Sequence, residues 1–145
     1  MKVISVVGTK KTGKTTLVCA LVAALAKYGR VGTIKNMVSH SVDQGDTKRH
    51  FDAGADMVVG LGEARLIVKR ERGDLDSALA ELEAEGMDYV VVEGFKHSSL
   101  AKISMADIDV ANVVRRVNLA DITSALVEEL AQMVRGMKEY GASNE

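Results

Sequence analysis

Gly8 to Thr15 spells G-x-x-x-x-G-K-T inside the stretch GTKKTGKTTL. That spacing suits a loop whose backbone N–H groups wrap phosphates while a lysine reaches the outer ones and a threonine hydroxyl meets Mg²⁺. Gly8, Thr9, Lys10, Lys11, Thr12 and Gly13, with Lys14, Thr15 and Thr16, are therefore the candidate binding set. Lys10 and Lys11 add positive charge to the loop. Glu93 is the second candidate. It directly follows the apolar run Tyr89 to Val92 and precedes a glycine, so it is expected at the carboxyl end of a strand, the edge where parallel sheets bind ligands. A carboxylate there can hold Mg²⁺ through water or orient an attacking water, because Mg²⁺ keeps several waters and takes few protein ligands.

Asp46 and Asp43, in the long polar stretch MVSHSVDQGDTK, are further candidates for the same ion. His40, His50 and His97 show no metal-ligand spacing, and the lone Cys19 cannot complete a thiolate site. Arg115 and Arg116 are either phosphate clamps or solvent-facing charges on a late strand.

These groups need elements to position them. KVISVV, residues 2 to 7, is a β-branched apolar run suited to a strand buried on both faces. After the loop, Leu17, Leu21 and Leu25 recur every four residues with Ala20 and Ala24 beside them, which predicts a helix with one apolar stripe. Its N-terminus would face the phosphates. Cys19 falls inside this pattern and is expected to be a buried, reduced thiol. RVGTIKN, 30 to 36, reads as a second strand; RHFDAGAD, 49 to 56, as a short helix closed by Gly54; MVVGLG and ARLIVKR as two short strands. From Asp74, Leu75, Ala78, Leu79 and Leu82 follow a helical period ended by Gly86. DYVVVEGF, 88 to 95, is another buried strand, and a last helix is expected from about Asp121 to Tyr140. Strands separated by helices predict an α/β fold with a mostly parallel sheet covered on both sides, a three-layer sandwich of the P-loop NTPase kind.

Composition narrows the function classes. A chain of 145 residues is expected to be one domain, 1–145, burying about 70% of the surface its unfolded form exposes. A net charge of -1, two Phe, three Tyr and no Trp offer neither a basic stripe nor stacking platforms, so nucleic acid is not an expected partner. The longest apolar run, LVCALVAALA, is well short of the roughly 20 residues a membrane span needs. MKVISVVGTK enters a strand and a phosphate loop at once, which argues against a cleavable signal and for a cytoplasmic location.

Four stretches together carry a resemblance: GTKKTGKTTL, VGTIKN, GDTKRHFDAGAD and VVVEGFKHSSLAKI. An ordered set of a T-I-K strand, an Asp seven residues before an A-G-A turn, and E-G-F-K-H followed by A-K-I resembles the MobB family. These are nucleotide-binding proteins of molybdenum cofactor biosynthesis. The likeness spans residues 3 to about 105, and NLADITSALVEEL resembles the family's closing helix. It implies a protein that binds GTP with Mg²⁺, forms a homodimer, and assists MobA, the guanylyltransferase that joins GMP to molybdopterin, with weak GTPase activity at most. The family's phosphate and metal positions fall on Gly13, Lys14, Thr15, Asp46 and Glu93. Asn36 stands where the family usually has His, and Lys11 replaces a loop glycine. The interval from Ile103 to Asn118 lacks a clear hydrophobic strand ending in Ser-Asp. SMAD, residues 104 to 107, offers Asp107 instead as an acceptor for the guanine edge.

Two other classes use the same loop. A small-molecule kinase should add an arginine-bearing lid and an acceptor pocket, and no insertion is obviously large enough for a lid. A partitioning-type ATPase switch should place a second lysine just after the first loop glycine, where this chain has Thr9.

Overall fold

The computed structural model describes residues 1–37 and 45–142. In chain order the elements are β1 (Lys2–Val7), α1 (Lys14–Leu25), β2 (Val31–Lys35), α2 (Asp46–Asp52), β3 (Met57–Leu61), β4 (Arg65–Lys69), α3 (Leu75–Ala84), β5 (Tyr89–Glu93), β6 (Lys102–Ser104), β7 (Val113–Arg116) and α4 (Ser124–Arg135). They form two compact units, one of Met1–Asn36 with Leu75–Glu145 and the other of Met37–Asp74.

The first unit is built on a five-stranded sheet of order β2-β5-β1-β6-β7 in which every pairing is parallel. Because successive strand residues point to opposite faces, the two buried strands divide their side chains between two cores. Ile4, Val6 and Val91 pack with Leu17, Leu21 and Leu25 of α1 and Leu130 and Val134 of α4. Val3, Val90 and Val92 pack on the other face with Leu79 of α3. Helices thus cover both faces, as the alternation of strand and helix predicts. Burying a Leu or Val side chain contributes about 1.5 to 3 kcal/mol, so these rows fix the register that sets the strand ends.

The second unit pairs β3 and β4 antiparallel, Met57 opposite Lys69 through Leu61 opposite Arg65. Its helix α2 begins at Asp46, three residues before the expected start at Arg49. A carboxylate in the first turn suits the helix dipole, and Gly45 at φ 147 lets the chain enter.

Several local expectations change. The last helix is Ser124–Arg135 and not Asp121 to Tyr140. Thr123, in extended geometry, accepts a hydrogen bond from the Leu126 N–H at 3.1 Å and caps it, while Asp121 ends a separate 3₁₀ turn, Leu119–Asp121. Other readings hold: Arg115 and Arg116 do lie on a late strand, β7, which ends in these arginines and not in Ser-Asp and pairs with β6 through a register shift between Lys102 and Ile103. Cys19 is a free thiol but exposed, not buried. Two residues past Leu17, it sits about 200° around the helix from that buried side chain.

Candidate functional site

The phosphate loop connects β1 to α1 and is held in shape by its own small residues. Gly8 has no space for a side chain, since an added Cβ would lie 2.7 Å from Thr12 Oγ1. Thr12 Oγ1 in turn donates to the Thr9 carbonyl at 3.0 Å. Gly13 takes φ 92 at the N-cap of α1, and a Cβ there would meet Leu119 Cδ1 at 2.6 Å. Only glycine meets both demands. Lys11 adopts φ 58, which explains why a glycine suits that position.

The helix that follows carries no acidic residue in its first turn. Its free N–H groups and positive dipole end are therefore open to an anion. Lys14 Nζ donates to the Thr9 carbonyl at 2.7 Å and lies 3.5 Å from that of Gly8, so this ammonium folds back onto its own loop. Thr9, Lys10, Lys11, Thr15 and Thr16 are exposed.

Glu93 comes to this loop from the neighbouring strand. The hydroxyl of Thr15 donates to Glu93 Oε1 at 2.9 Å, across 78 positions of sequence. The residue after Glu93 is pinned to β1 from two sides: the Gly94 N–H donates to the Val6 carbonyl at 3.0 Å, and the buried Ser5 hydroxyl donates to the Gly94 carbonyl at 2.7 Å. Gly94 at φ 98 and Phe95 at φ 56 then turn the chain away. Ser5 was hidden from sequence reasoning, being a small polar residue in an apolar strand. So was Lys35, whose Nζ lies 3.5 Å from Glu93 Oε1. Its position at the end of β2 was the available signal, but strand order alone shows what it faces.

Asp107 lies three residues past β6, the strand beside β1. Its carboxylate is fully exposed, with Arg116 Nη1 at 4.0 Å. It is accessible to a ligand, but its side chain is not buried in a pocket. Asp46 belongs to the second unit, where its exposed carboxylate faces Arg49 at 3.9 Å. Asp43 and His40 lie outside the described residues. His50 is exposed on α2 and His97 is exposed in the turn after β5. Arg115 pairs with Glu129 at 2.8 Å, while Arg116 donates to the Ala106 carbonyl at 3.1 Å. The partners of both guanidinium groups thus lie outside the phosphate loop.

Thr15 and Glu93 offer a hydroxyl and a carboxylate, hard oxygen donors that fit Mg²⁺. Among the described residues no group of three or more His, Cys, Asp or Glu could hold a metal ion. That donor set matches an ion that arrives with its own waters and the ligand's phosphates better than one held by a protein cage. Among the described residues, no helix is long and apolar enough to cross a membrane.

Comparison with known proteins bears on the family and the fold. The sequence model of the family MobB, "Molybdopterin guanine dinucleotide synthesis protein B", matches residues 3–128. A Methanocaldococcus jannaschii protein, provisionally named a molybdopterin-guanine dinucleotide biosynthesis adapter, is 34% identical over 101 residues, 68% of this chain and 42% of its own. The Escherichia coli molybdopterin-guanine dinucleotide biosynthesis adapter protein is 33% identical over 102 residues, 63% of this chain and 58% of its own. The aligned part therefore spans about half the length of these curated relatives. The crystal structure of a MobB homolog from Bacillus stearothermophilus superimposes with a TM-score of 0.73 at 26% identity, covering 94% of this chain and 100% of that one. With the family model matching most of the chain and the same fold in a solved relative, the protein belongs to the MobB family.

Proposed function

We propose that the protein is a GTP-binding adaptor of molybdenum cofactor biosynthesis that assists guanylyl transfer to molybdopterin. The observation that carries this reading is the Thr15 hydroxyl on Glu93 at 2.9 Å beside a phosphate loop, within a family named for guanine dinucleotide synthesis. The loop N–H groups and Lys14 bind the phosphates. Thr15 and Glu93 are the residues that would hold Mg²⁺, whose charge would offset that of the phosphates. Asp107 would accept hydrogen bonds from the guanine N1–H and exocyclic amine, a donor pair that adenine lacks. Glu93 would orient an attacking water, and GTPase activity is expected to be weak at most.

The same reading makes the protein a cytoplasmic homodimer that engages a MobA-type guanylyltransferase. Light scattering should give a dimer at micromolar concentration, and a pull-down should retain the guanylyltransferase. A monomer that retains no such partner would refute the adaptor role. A product assay separates the other classes. Slow orthophosphate release from GTP, with no phosphorylated acceptor, fits the adaptor. Phosphorylation of a small-molecule acceptor would make it a kinase, and turnover of ATP in preference to GTP would make it an ATPase switch.

A further inference from the structure

The strand order β2-β5-β1-β6 sets four positions in a row along the carboxyl edge of the sheet: Lys35, Glu93, the phosphate loop, and the segment that carries Asp107. Glu93 thus stands between Lys35 and the loop. Lys35 and Glu93 are register partners in the β2–β5 ladder, and the Asn36 N–H extends that ladder by donating to the Glu93 carbonyl at 3.0 Å. The two side chains differ in freedom. The Glu93 side chain is 12% exposed and also holds Thr15, whereas that of Lys35 is 58% exposed.

Lys14 and Lys35 thus both have partners within the protein. Lys14 is held by carbonyl oxygens and Lys35 by Glu93. A divalent cation at Thr15 and Glu93 would bring two positive charges to the oxygen that Lys35 faces. Like charges at that separation repel, and the exposed, flexible stem of Lys35 lets its ammonium turn away. It would then be a cation without its carboxylate, at the edge where phosphates bind. A lysine in that position acts as a point-charge ligand for phosphate.

We propose that Lys35 is a further phosphate-binding lysine of this site, its ammonium passing from Glu93 to a phosphate oxygen when a divalent cation takes Glu93 from it. This rests on the nucleotide-binding reading of the loop. The phosphate belongs either to the outermost group of the nucleotide or to a separate phosphate bound beside it, and both present the same anionic oxygens.

Calorimetry on the full chain with Mg²⁺ tests this in wild type, Lys35→Met and Lys35→Arg. The ligands are GDP, a non-hydrolysable GTP analogue, and inorganic phosphate titrated into the Mg²⁺–GDP complex. Losing one charge-assisted hydrogen bond should weaken binding about tenfold in Lys35→Met, with partial recovery in Lys35→Arg. A loss for the analogue that exceeds the loss for GDP assigns the contact to the outermost phosphate. A loss confined to inorganic phosphate assigns it to a separate ligand. Unchanged or tighter binding of every ligand would overturn the proposal, because Lys35 would then only compete with the metal. An equal loss for GDP and the analogue with phosphate unaffected would overturn it as well, as a general field effect. If wild type binds no nucleotide, the nucleotide reading falls and Lys35 with it; wild-type binding with an unaffected variant removes Lys35 alone.

Discussion

Lys14→Ala should weaken binding of a Mg²⁺–GTP analogue by roughly five- to tenfold while leaving the fold intact. The magnitude follows from what this ammonium exchanges on binding. It donates to the Thr9 carbonyl at 2.7 Å, with the Gly8 carbonyl at 3.5 Å. Phosphate replaces these neutral acceptors with charged ones. The donor is charged in both bonds, so only the acceptor changes, from a carbonyl to an anionic oxygen; that change is worth part of what a hydrogen bond to a charged group contributes, about 1.5 to 3 kcal/mol. The net gain is therefore about 1 to 1.5 kcal/mol, which sets the fold-change. Without the carbonyl bonds the loss would approach a hundredfold. Because the lysine is only half-buried, its removal should cost stability no more than those carbonyl bonds contribute, about 0.5 to 1.5 kcal/mol. Calorimetry with the analogue, paired with a thermal melt, measures both. Unchanged affinity in a folded variant would refute the phosphate assignment. A hundredfold loss would refute the exchange argument, and a large drop in melting temperature would make Lys14 a structural lock.

Glu93→Gln keeps an oxygen that can accept the Thr15 hydroxyl, so nucleotide binding in EDTA should persist while the enhancement by Mg²⁺ falls about tenfold; wild-type Mg²⁺ dependence would place the ion elsewhere. Asp107→Ala should erase a GTP-over-ATP preference that its full exposure limits to about two- to fivefold, read by displacement of a labelled GTP analogue. Equal displacement by both nucleotides in wild type would remove Asp107 from base recognition. Lys11→Gly relieves a left-handed backbone and should stabilise by up to about 1 kcal/mol in a thermal melt; a destabilised variant would show that the side chain matters more than φ 58. Lys102→Met removes an ammonium that donates to the carbonyls of Ser98, Leu100 and Ala111, and should cost about 1 to 3 kcal/mol in denaturant unfolding. Burial lowers the pKa of Lys102 below the usual 10.5. In the window between that lowered value and 10.5 the unfolded chain binds more protons than the folded one, so wild type should gain stability relative to Lys102→Met as pH rises. A difference that shrinks over that range would refute the sign.

Legibility in the sequence tracked how local each constraint was. β1, the loop and α1 were readable because a β-branched run, two glycines and a leucine period each act within a few residues. α3 was readable for the same reason at its end: Gly86 at φ 78 lets the Met87 N–H donate to the Leu82 carbonyl at 3.1 Å and its own N–H to the Glu83 carbonyl at 3.0 Å, which closes the helix. β6 was not readable. A three-residue strand that begins with lysine has no apolar run to announce it, and the three carbonyls that make Lys102 tolerable inside come from the loops on either side of the strand. The end of α4 misled for the opposite reason. Met137 continues the apolar period and still packs on the core, but the chain leaves the helix near Gly136, and the Tyr140 N–H reaches the Met1 carbonyl at 2.7 Å.

The candidate site divides along the same line. That Glu93 and the loop would share one sheet edge followed from parallel strands alone, but their adjacency did not. It depends on β5, late in the chain, pairing between the early strands β1 and β2. That insertion is what brings a carboxylate 78 positions away to 2.9 Å from Thr15 and makes Lys35 its other neighbour. A lysine at a strand end resembles any solvated charge until the strand beside it is known. Strand order is set by packing on both faces of the sheet and not by any motif, which is why the phosphate loop could be read from eight residues while the charge arrangement around it could not.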